Sequence, residues 1–244
     1  MAPFLDVHSH VVPSGDDGAK NVEDGLALCA DAARRGTRVL YATPHVWPQL
    51  PLTPERERDV RAAHAAMVAP AARAGVDLRL GWELTPSAAL LDEDPARYRL
   101  GGLAAVLLEV SFRGPAEPAR LLGEHVEGAG LVPVVAHPER AESVLADPDI
   151  AVAFAERGWL LQVNATSLLG RHGEEEAALG WRLVEDRLAA LVASDGHRAA
   201  RPAALDDAYV LVRARVGEGA DALFDGSALA PLAGADRLDL AERR

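Results

Sequence analysis

The sequence places imidazole and carboxylate side chains directly after short apolar runs. His8 and His10 stand two positions apart after the first run, and Asp195 and His197 repeat this spacing near the other end of the chain. On an extended backbone, side chains two positions apart point to the same face. Neutral imidazoles and carboxylates that converge on one pocket are ligands for divalent transition metals. The spacing therefore indicates a metal site.

Groups of the same two types follow most of the other apolar runs. Taken alone, the Asp-Asp-Gly stretch at 16–18 is typical of a turn, but Glu109 ends an apolar run and would be costly to bury without a cation. Nine such groups exceed the about four to six ligands that one ion takes, so two or three ions that share carboxylates fit better. Such clusters are common in displacement at phosphorus. The nine candidate metal ligands are His8, His10, Asp17, His45, Glu83, Glu109, His137, Asp195 and His197.

The elements that must position these groups alternate between apolar runs and amphipathic stretches. This alternation is typical of parallel strands with helical crossovers, and a sheet closed on itself is its simplest form. In such a barrel the carboxyl ends of the strands share one face, where catalytic residues collect. Seven strands are predicted at residues 4–7, 38–42, 77–82, 104–110, 131–136, 159–163 and 188–193. Helices are predicted at residues 21–35, 53–72, 116–127, 139–156, 174–186 and 203–216.

The composition limits the class of protein. The chain has 244 residues with 25 basic against 37 acidic side chains, and its net charge of −12 argues against a nucleic-acid partner. A single cysteine, Cys29, excludes a disulfide framework and a cysteine-rich zinc cluster. We predict no signal peptide and no membrane span, because no apolar run reaches the about 18–20 residues that cross a bilayer. The expectation is a soluble cytoplasmic protein.

Six sequence blocks are similar to the motifs of a known superfamily. They are D-V-H-S-H-V-V-P-S-G-D-D-G-A-K at 6–20, A-T-P-H at 42–45, G-W-E at 81–83, L-L-E-V at 107–110, V-A-H-P-E-R at 135–140 and A-S-D-G-H at 193–197. Together they resemble the PHP superfamily of metal-dependent phosphoesterases over residues 4–210. The D-D-G-x-K loop, V-A-H-P-E-R and N-A-T-S-L-L-G at 164–170 resemble in particular the capsule-biosynthesis-type (CpsB/CapC-like) bacterial tyrosine-protein phosphatases.

This resemblance implies an α/β fold, a distorted (βα)7 barrel of the PHP type, with a trinuclear metal site. Arg140 and Arg201 match the positions where the family places arginines on the phosphate. The implied ions are divalent, with manganese expected and iron or zinc as alternatives. The resemblance assigns the ligands in three sets: His8, His10, Glu83 and Asp195 for one ion; Glu83, Glu109 and His137 for a second; and Asp17, His45 and His197 for a third.

The resemblance also implies an activity and a domain organisation. We expect a metal-dependent phosphomonoesterase of the protein-tyrosine phosphatase type that uses a metal-activated hydroxide and serves polysaccharide biosynthesis. Its substrate would be a phosphotyrosine protein or peptide, such as a bacterial tyrosine kinase, and the sequence leaves a homo-oligomer open. We predict one catalytic domain over residues 1–216, followed by a C-terminal helix and tail over residues 217–244.

Several other functions remain to be weighed. A PHP phosphatase that acts on a small molecule, such as histidinol phosphate, would share the same ligands, and a non-catalytic, metal-stabilised binding module is a second alternative. Cys29 and Arg35 match the Cys-x5-Arg spacing of cysteine phosphatases, but a predicted helix without glycine separates them. Ser194 lacks the G-x-S-x-G motif of serine hydrolases. Lys20, the one lysine, lies in the first loop, which disfavours a barrel bridged by a carbamylated lysine.

Overall fold

The computed structural model describes residues 3–233, in which short strands alternate with helices. The strands are β1 (Phe4–Ser9), β2 (Thr37–Ala42), β3 (His45–Val46), β4 (Asp77–Leu80), β5 (Glu83–Leu84), β6 (Ala105–Glu109), β7 (Val132–Ala136), β8 (Leu160–Asn164) and β9 (Ala189–Ala193). The α-helices are α1 (Val22–Arg34), α2 (Pro54–Arg73), α3 (Glu117–Gly128), α4 (Glu142–Ala146), α5 (Asp149–Glu156), α6 (Ala165–Leu168), α7 (Glu174–Glu185), α8 (Asp206–Val216) and α9 (Ala220–Phe224). Short 3₁₀ helices lie at Ala88–Asp92, Pro95–Tyr98, Pro138–Arg140, Gly217–Gly219 and Ser227–Leu232.

The strands pair in parallel and form two sheets. One sheet has the order β1-β2-β4, and the other has the order β3-β5-β6-β7-β8-β9. The two sheets meet beyond the end of β9, where Gly196 bridges to Ser9 and the Asp195 N–H donates to the His8 carbonyl oxygen at 2.9 Å. The predicted α/β fold with parallel strands is confirmed. A single closed barrel is not confirmed, because the described strands are divided between two sheets.

Two predicted strands are each followed by a short strand that begins at a candidate ligand. β2 ends before Pro44, which has no N–H to donate to a strand ladder, and the chain becomes extended again at His45. The strand predicted at residues 77–82 ends at Leu80, and a short strand follows at Glu83. The two short strands, β3 and β5, pair with each other, with His45 opposite Glu83. The interruptions therefore set two candidate ligands side by side.

The predicted helices are present except in one segment, and the structure has one further short helix, α6, that the sequence does not predict. Asn21 caps α1 by accepting a hydrogen bond from the Asp24 N–H at 2.8 Å, and Thr53 caps α2 in the same way. The single helix predicted over residues 139–156 is wrong, because the segment contains a 3₁₀ turn and two short helices, α4 and α5. The second break falls at Pro148, and a residue that precedes proline disfavours the helical conformation. No helix within residues 3–233 is long and apolar enough to cross a membrane.

The strands are buried on both faces, which explains their continuous apolar runs. Alternate strand residues, among them Leu5, Val39, Leu107, Val134 and Leu191, form an inner apolar cluster. The other strand residues pack with the helices in a larger cluster. The carboxyl ends of the strands, where the polar residues follow, lie at one end of this double-faced core.

The C-terminal segment packs on the strands as far as it is described. Phe224 in α9 lies 5.8 Å from Phe4, ring centroid to ring centroid, and Leu229 is fully buried. The Ala104 N–H donates to the carbonyl oxygen of Leu232 at 2.7 Å. The predicted short helix is therefore present, whereas residues 234–244 of the predicted tail lie outside the described residues. The division at residue 216 stays a prediction.

Candidate metal centre

Seven of the nine predicted metal ligands converge at the carboxyl ends of the strands. They form three groups, and within each group the ligand atoms lie within 4.8 Å of one another. All seven side chains are buried. The groups are His8, Glu83 and His137; His8, His10 and Asp195; and His10, His45 and His197.

Glu83 stands at the centre of this cluster. Its Oε2 lies 3.1 Å from His8 Nε2, 3.2 Å from His10 Nε2 and 2.9 Å from His45 Nδ1. Its Oε1 lies 3.1 Å from His137 Nε2. Burial alone would raise the pKa of Glu83, but the surrounding imidazoles, His8 foremost, outweigh burial and hold this pKa well below its usual value. This low pKa favours the ionised carboxylate at Glu83.

Asp195 joins the cluster from the opposite side. Its Oδ1 lies 3.5 Å from Nε2 of both His8 and His10, and 3.3 Å from His197 Nδ1. Burial would raise the pKa of Asp195, but His8, followed by His10 and His137, holds it well below its usual value. The second oxygen of the same carboxylate faces away from the imidazoles.

This second oxygen, Asp195 Oδ2, accepts hydrogen bonds from three nitrogen donors. Arg140 Nη1 donates to it at 3.1 Å, Arg201 Nη2 at 2.7 Å and Asn164 Nδ2 at 2.9 Å. Both predicted phosphate-binding arginines therefore lie beside the ligand cluster, and both are partly exposed to solvent. A guanidinium that is anchored on a carboxylate keeps free N–H groups for an anion.

Asp17 and Glu109 lie at the edge of the cluster rather than inside the three groups. Asp17 Oδ1 is 3.3 Å from His197 Nε2 and 3.8 Å from His45 Nε2, and its side chain is 49% exposed. Asp17 is thus close to the third predicted set.

Glu109 is buried beside Glu83. Thr85 Oγ1 donates a short hydrogen bond to Glu109 Oε1. Burial, followed by the charge of Glu83, raises the pKa of Glu109 to about 7. A carboxyl group held in this way loses its proton readily when a cation approaches, which is the behaviour expected of the ligand predicted from the sequence.

Two residues outside the predicted set fix the orientation of the ligand rings. Gln162 Oε1 accepts a hydrogen bond from His8 Nδ1 at 2.9 Å, which leaves His8 Nε2 toward Glu83. Asp16 Oδ2 lies 3.3 Å from His10 Nδ1. Partners of this kind fix the tautomer of a metal-binding histidine. The sequence indicates only a turn at Asp16, and the one sign of Gln162 is a polar side chain near the end of an apolar strand.

Two ligands take an unusual backbone conformation. His137 has φ 33° and Asp195 has φ 52°, both in the left-handed region that few residues other than glycine adopt. His137 directly follows β7, and Asp195 lies two residues after the end of β9. The turn at each position directs the side chain toward the cluster. Strain of this kind is found where a fold imposes the geometry of a functional site.

The residues present fit a divalent metal. Glu83 Oε2 is buried and faces three imidazole nitrogens, yet it receives no hydrogen bond, and the nearby His45 Nδ1 is also buried without one. A buried anionic oxygen without a donor is costly unless a cation compensates it. Imidazole nitrogens together with carboxylate oxygens suit manganese, iron and zinc.

The alternative nucleophiles are not arranged for catalysis. Cys29 is fully buried in α1, and burial raises the pKa of its thiol to about 12, so a reactive thiolate is absent at neutral pH. Lys20 is exposed and Ser194 is buried against the His8 carbonyl oxygen. Trp82 lies in the core, whereas Trp47 is half-buried and stacks on His45 with 4.3 Å between ring centroids.

Comparison with known proteins decides the family. Residues 4–225 match the family model for capsular polysaccharide synthesis, CpsB/CapC. The chain belongs to the CpsB/CapC family. The resemblance seen in the sequence blocks is thereby confirmed.

Named relatives agree with this assignment. Tyrosine-protein phosphatase YwqE of Bacillus subtilis is 30% identical over 207 residues, which cover 80% of this chain and 77% of YwqE. Tyrosine-protein phosphatase CpsB of Streptococcus agalactiae serotype III is 28% identical over 221 residues, which cover 86% of this chain and 89% of CpsB. A chain from the crystal structures of YwqE and of Streptococcus pneumoniae CpsB, described as unique metal-dependent tyrosine phosphatases, has a TM-score of 0.79 at 26% identity and covers 90% of this chain and 91% of that chain. A 5-methylcytosine deaminase of Klebsiella pneumoniae, at 14% identity and a TM-score of 0.59, shares the fold alone.

Proposed function

We propose that this member of the CpsB/CapC family is a metal-dependent protein-tyrosine phosphatase. The observation that carries the proposal is the buried cluster of imidazoles around Glu83, with Arg140 and Arg201 beside it on Asp195. Relatives with the names of tyrosine-protein phosphatases support the choice of substrate class. The cluster supplies what displacement at a phosphomonoester needs, which is positive charge next to a site for water.

The nine predicted ligands would hold two or three divalent ions, with manganese as the expected metal. The three groups of ligand atoms support three positions, and His8 and His10 each belong to two of the groups. When bound, such ions lower the pKa of water toward neutrality and neutralise charge on phosphoryl oxygens. The catalytic assignment to a trinuclear site is part of this proposal.

Arg140 and Arg201 would bind the phosphoryl group. Both guanidiniums share Asp195 Oδ2 as an acceptor, which fixes them next to the ligand cluster. Each retains further N–H donors in the planar arrangement that suits phosphate oxygens. Their charge would hold the phosphomonoester dianion and stabilise the charge that develops as the phosphoryl group is transferred.

The leaving group favours an aryl ester. A tyrosine hydroxyl has a pKa near ~10, whereas an alcohol is far less acidic, so a phenolate departs with less help from a proton donor. A site built from charge and positioning alone is therefore better matched to phosphotyrosine than to phosphoserine. A bacterial tyrosine kinase is the protein substrate that we propose, with a role in capsular polysaccharide synthesis in the cytoplasm.

The same proposal includes the closed form of the barrel. The bridge between Ser9 and Gly196, and the hydrogen bond from the Asp195 N–H to the His8 carbonyl oxygen, support a ring in which the short strands β3 and β5 continue β2 and β4. Residues 1–216 would form this catalytic domain. The ends of its strands would then enclose the ligands on all sides.

The test is hydrolysis by metal-stripped and metal-reconstituted protein. We expect the stripped protein to be inactive, and added Mn²⁺ to restore turnover of a phosphotyrosine peptide with a higher kcat/KM than for histidinol phosphate. Glu109→Ala and His137→Ala should each lower kcat/KM by at least about a hundredfold, whereas Cys29→Ser should keep it. Equal activity of stripped and reconstituted protein, or full activity of the ligand variants, would contradict the proposal.

A further inference from the structure

Phe112 is an exposed aromatic side chain at the rim of the metal centre. Six large apolar side chains are exposed among residues 3–233, and Phe112, at 43% exposure, is the aromatic one among them. It lies in the loop that follows β6, three residues beyond Glu109. Leaving a phenyl ring in water forgoes the favourable free energy of its burial, so its position calls for a cause.

Phe112 contacts both parts of the proposed site. Its ring centroid lies 5.4 Å from that of His137, and the guanidinium carbon of Arg140 lies 4.4 Å from the Phe112 ring centroid. The Glu142 N–H donates to the Phe112 carbonyl oxygen at 3.0 Å, which ties the loop to the segment that carries His137 and Arg140. The phenyl ring is therefore held between a predicted metal ligand and a predicted phosphate ligand.

Trp47 is the other aromatic side chain at the cluster, and its environment differs. Its ring lies nearly parallel to that of His45, at 14°, and it is half-buried. One face of Trp47 is thus taken up by a ligand ring. Phe112 has the larger free surface, and it lies beside Arg140, where the phosphoryl group would be held.

We propose that Phe112 is a specificity-determining residue that packs against the aromatic ring of an aryl phosphomonoester. The inference rests on the proposed phosphatase function. With the phosphoryl group on Arg140, the ester oxygen joins it directly to the substrate ring, so this ring must lie at the rim next to Phe112. Contacts between two aromatic rings add to the free energy of apolar burial, by an amount equivalent to about threefold to tenfold in affinity. An alkyl phosphomonoester gains no such contact.

The experiment compares two non-hydrolysable anions that differ only in the ring. Phenylphosphonate and methylphosphonate are titrated by calorimetry into protein loaded with Mn²⁺. We expect wild-type protein to prefer phenylphosphonate, and Phe112→Ala to weaken phenylphosphonate binding by about threefold to tenfold while methylphosphonate binding stays unchanged. Phe112→Tyr keeps the ring and should keep the preference. Leu211→Ala, at a side chain of similar exposure (44%) on α8, is the control and should change neither affinity.

The outcomes separate this inference from the function on which it rests. An equal loss of both affinities in Phe112→Ala would mean that the ring acts only by holding Arg140, and the proposal would be overturned. Unchanged affinities in Phe112→Ala would overturn it as well, as would wild-type protein that binds neither anion. Failure of the phosphatase function would appear elsewhere, as metal-loaded wild-type protein that hydrolyses no phosphotyrosine peptide.

Discussion

At the scale of single residues, hydrogen-bond partners outside the cluster orient two of its imidazole rings. His8 is held by Gln162 through Nδ1, and His10 lies against Asp16 in the same way. Burial would lower the pKa of His10, but its hydrogen bonds, with Asp16 first, raise this pKa well above its usual value. This direction favours a protonated His10, and a cation at the cluster would compete with that proton.

We expect Gln162→Leu to lower the affinity for Mn²⁺ by about tenfold to a hundredfold, because His8 loses the acceptor that fixes its tautomer. Gln162→Glu keeps an acceptor at the same position and should retain most of the affinity. Calorimetric titration of metal-stripped protein measures both. Equal affinities for wild type and Gln162→Leu would show that Gln162 does not position His8.

The sequence indicates the residues of the cluster better than it indicates their hydrogen-bond partners. Imidazoles and carboxylates after apolar runs are visible because they contradict the pattern around them, and this reasoning finds all seven residues of the three groups. Asp16 and Thr85 carry no such mark, since polar residues in loops are ordinary. The sequence also gives no sign of a role for Phe112, because the position of its loop relative to the cluster depends on tertiary structure.

At the scale of elements, strand ends do the positioning. The polar residues lie where a strand gives way to a turn, and two of these turns place His137 and Asp195 in the left-handed region. β8, the strand without a predicted ligand, contributes Gln162 and Asn164, which hold His8 and Asp195. Every long strand near the site therefore serves the cluster, either directly or through a partner.

His137 provides a test of this backbone strain. We expect metal-free His137→Gly to have a free energy of unfolding about 1 kcal/mol higher than metal-free His137→Ala, because only glycine adopts φ 33° without a steric penalty. Both variants lack the imidazole, so the comparison isolates the backbone. Urea unfolding measures the difference. A lower free energy of unfolding for the glycine variant would indicate that the turn is unstrained.

At the scale of elements, helix boundaries can be predicted where the sequence contains a capping residue. Asn21 and Thr53 mark helix starts, and the structure has caps at both positions. The prediction of one helix over residues 139–156 is wrong because it runs across Pro148, where the chain passes from α4 to α5. The number of sheets cannot be predicted from the sequence, since pairing between strands depends on contacts between distant parts of the chain.

At the scale of the whole molecule, the metal centre couples function to stability. The cluster buries several ionisable side chains, and Glu83 Oε2 has no hydrogen-bond donor. Anything that binds the folded state alone stabilises it by mass action. A metal bound at this cluster would therefore stabilise the folded protein as well as take part in catalysis.

Removal of metal should lower the stability of the whole protein. At a metal concentration about a hundred times Kd, we expect the reconstituted protein to exceed the stripped protein by about 2.7 kcal/mol in free energy of unfolding. Thermal unfolding with and without a chelator measures the shift. His137→Ala should reduce this shift. A chelator that leaves the melting temperature of wild-type protein unchanged would contradict a tightly bound metal.

The stability of the stripped protein should also depend on pH through His172. Burial lowers the pKa of this half-buried imidazole from 6.5 to about 4, and the positive charge of Arg140 adds to the effect. The unfolded chain takes up the proton first as pH falls, so the contribution of His172 is present above pH 6.5 and is lost as pH falls through 4. We expect wild-type protein to lose free energy of unfolding relative to His172→Gln across this interval. Parallel curves for the two proteins would contradict the assignment.

The bond between the Asp195 N–H and the His8 carbonyl oxygen joins positions that are separated by most of the chain. During synthesis, His8 leaves the ribosome long before Asp195 and His197 are translated. A nascent chain therefore contains some of the cluster's histidines early, but the cluster is incomplete until the segment after β9 has been synthesised. Products that terminate before Asp195 would lack two of the predicted ligands, so we expect them to bind metal more weakly than the full chain.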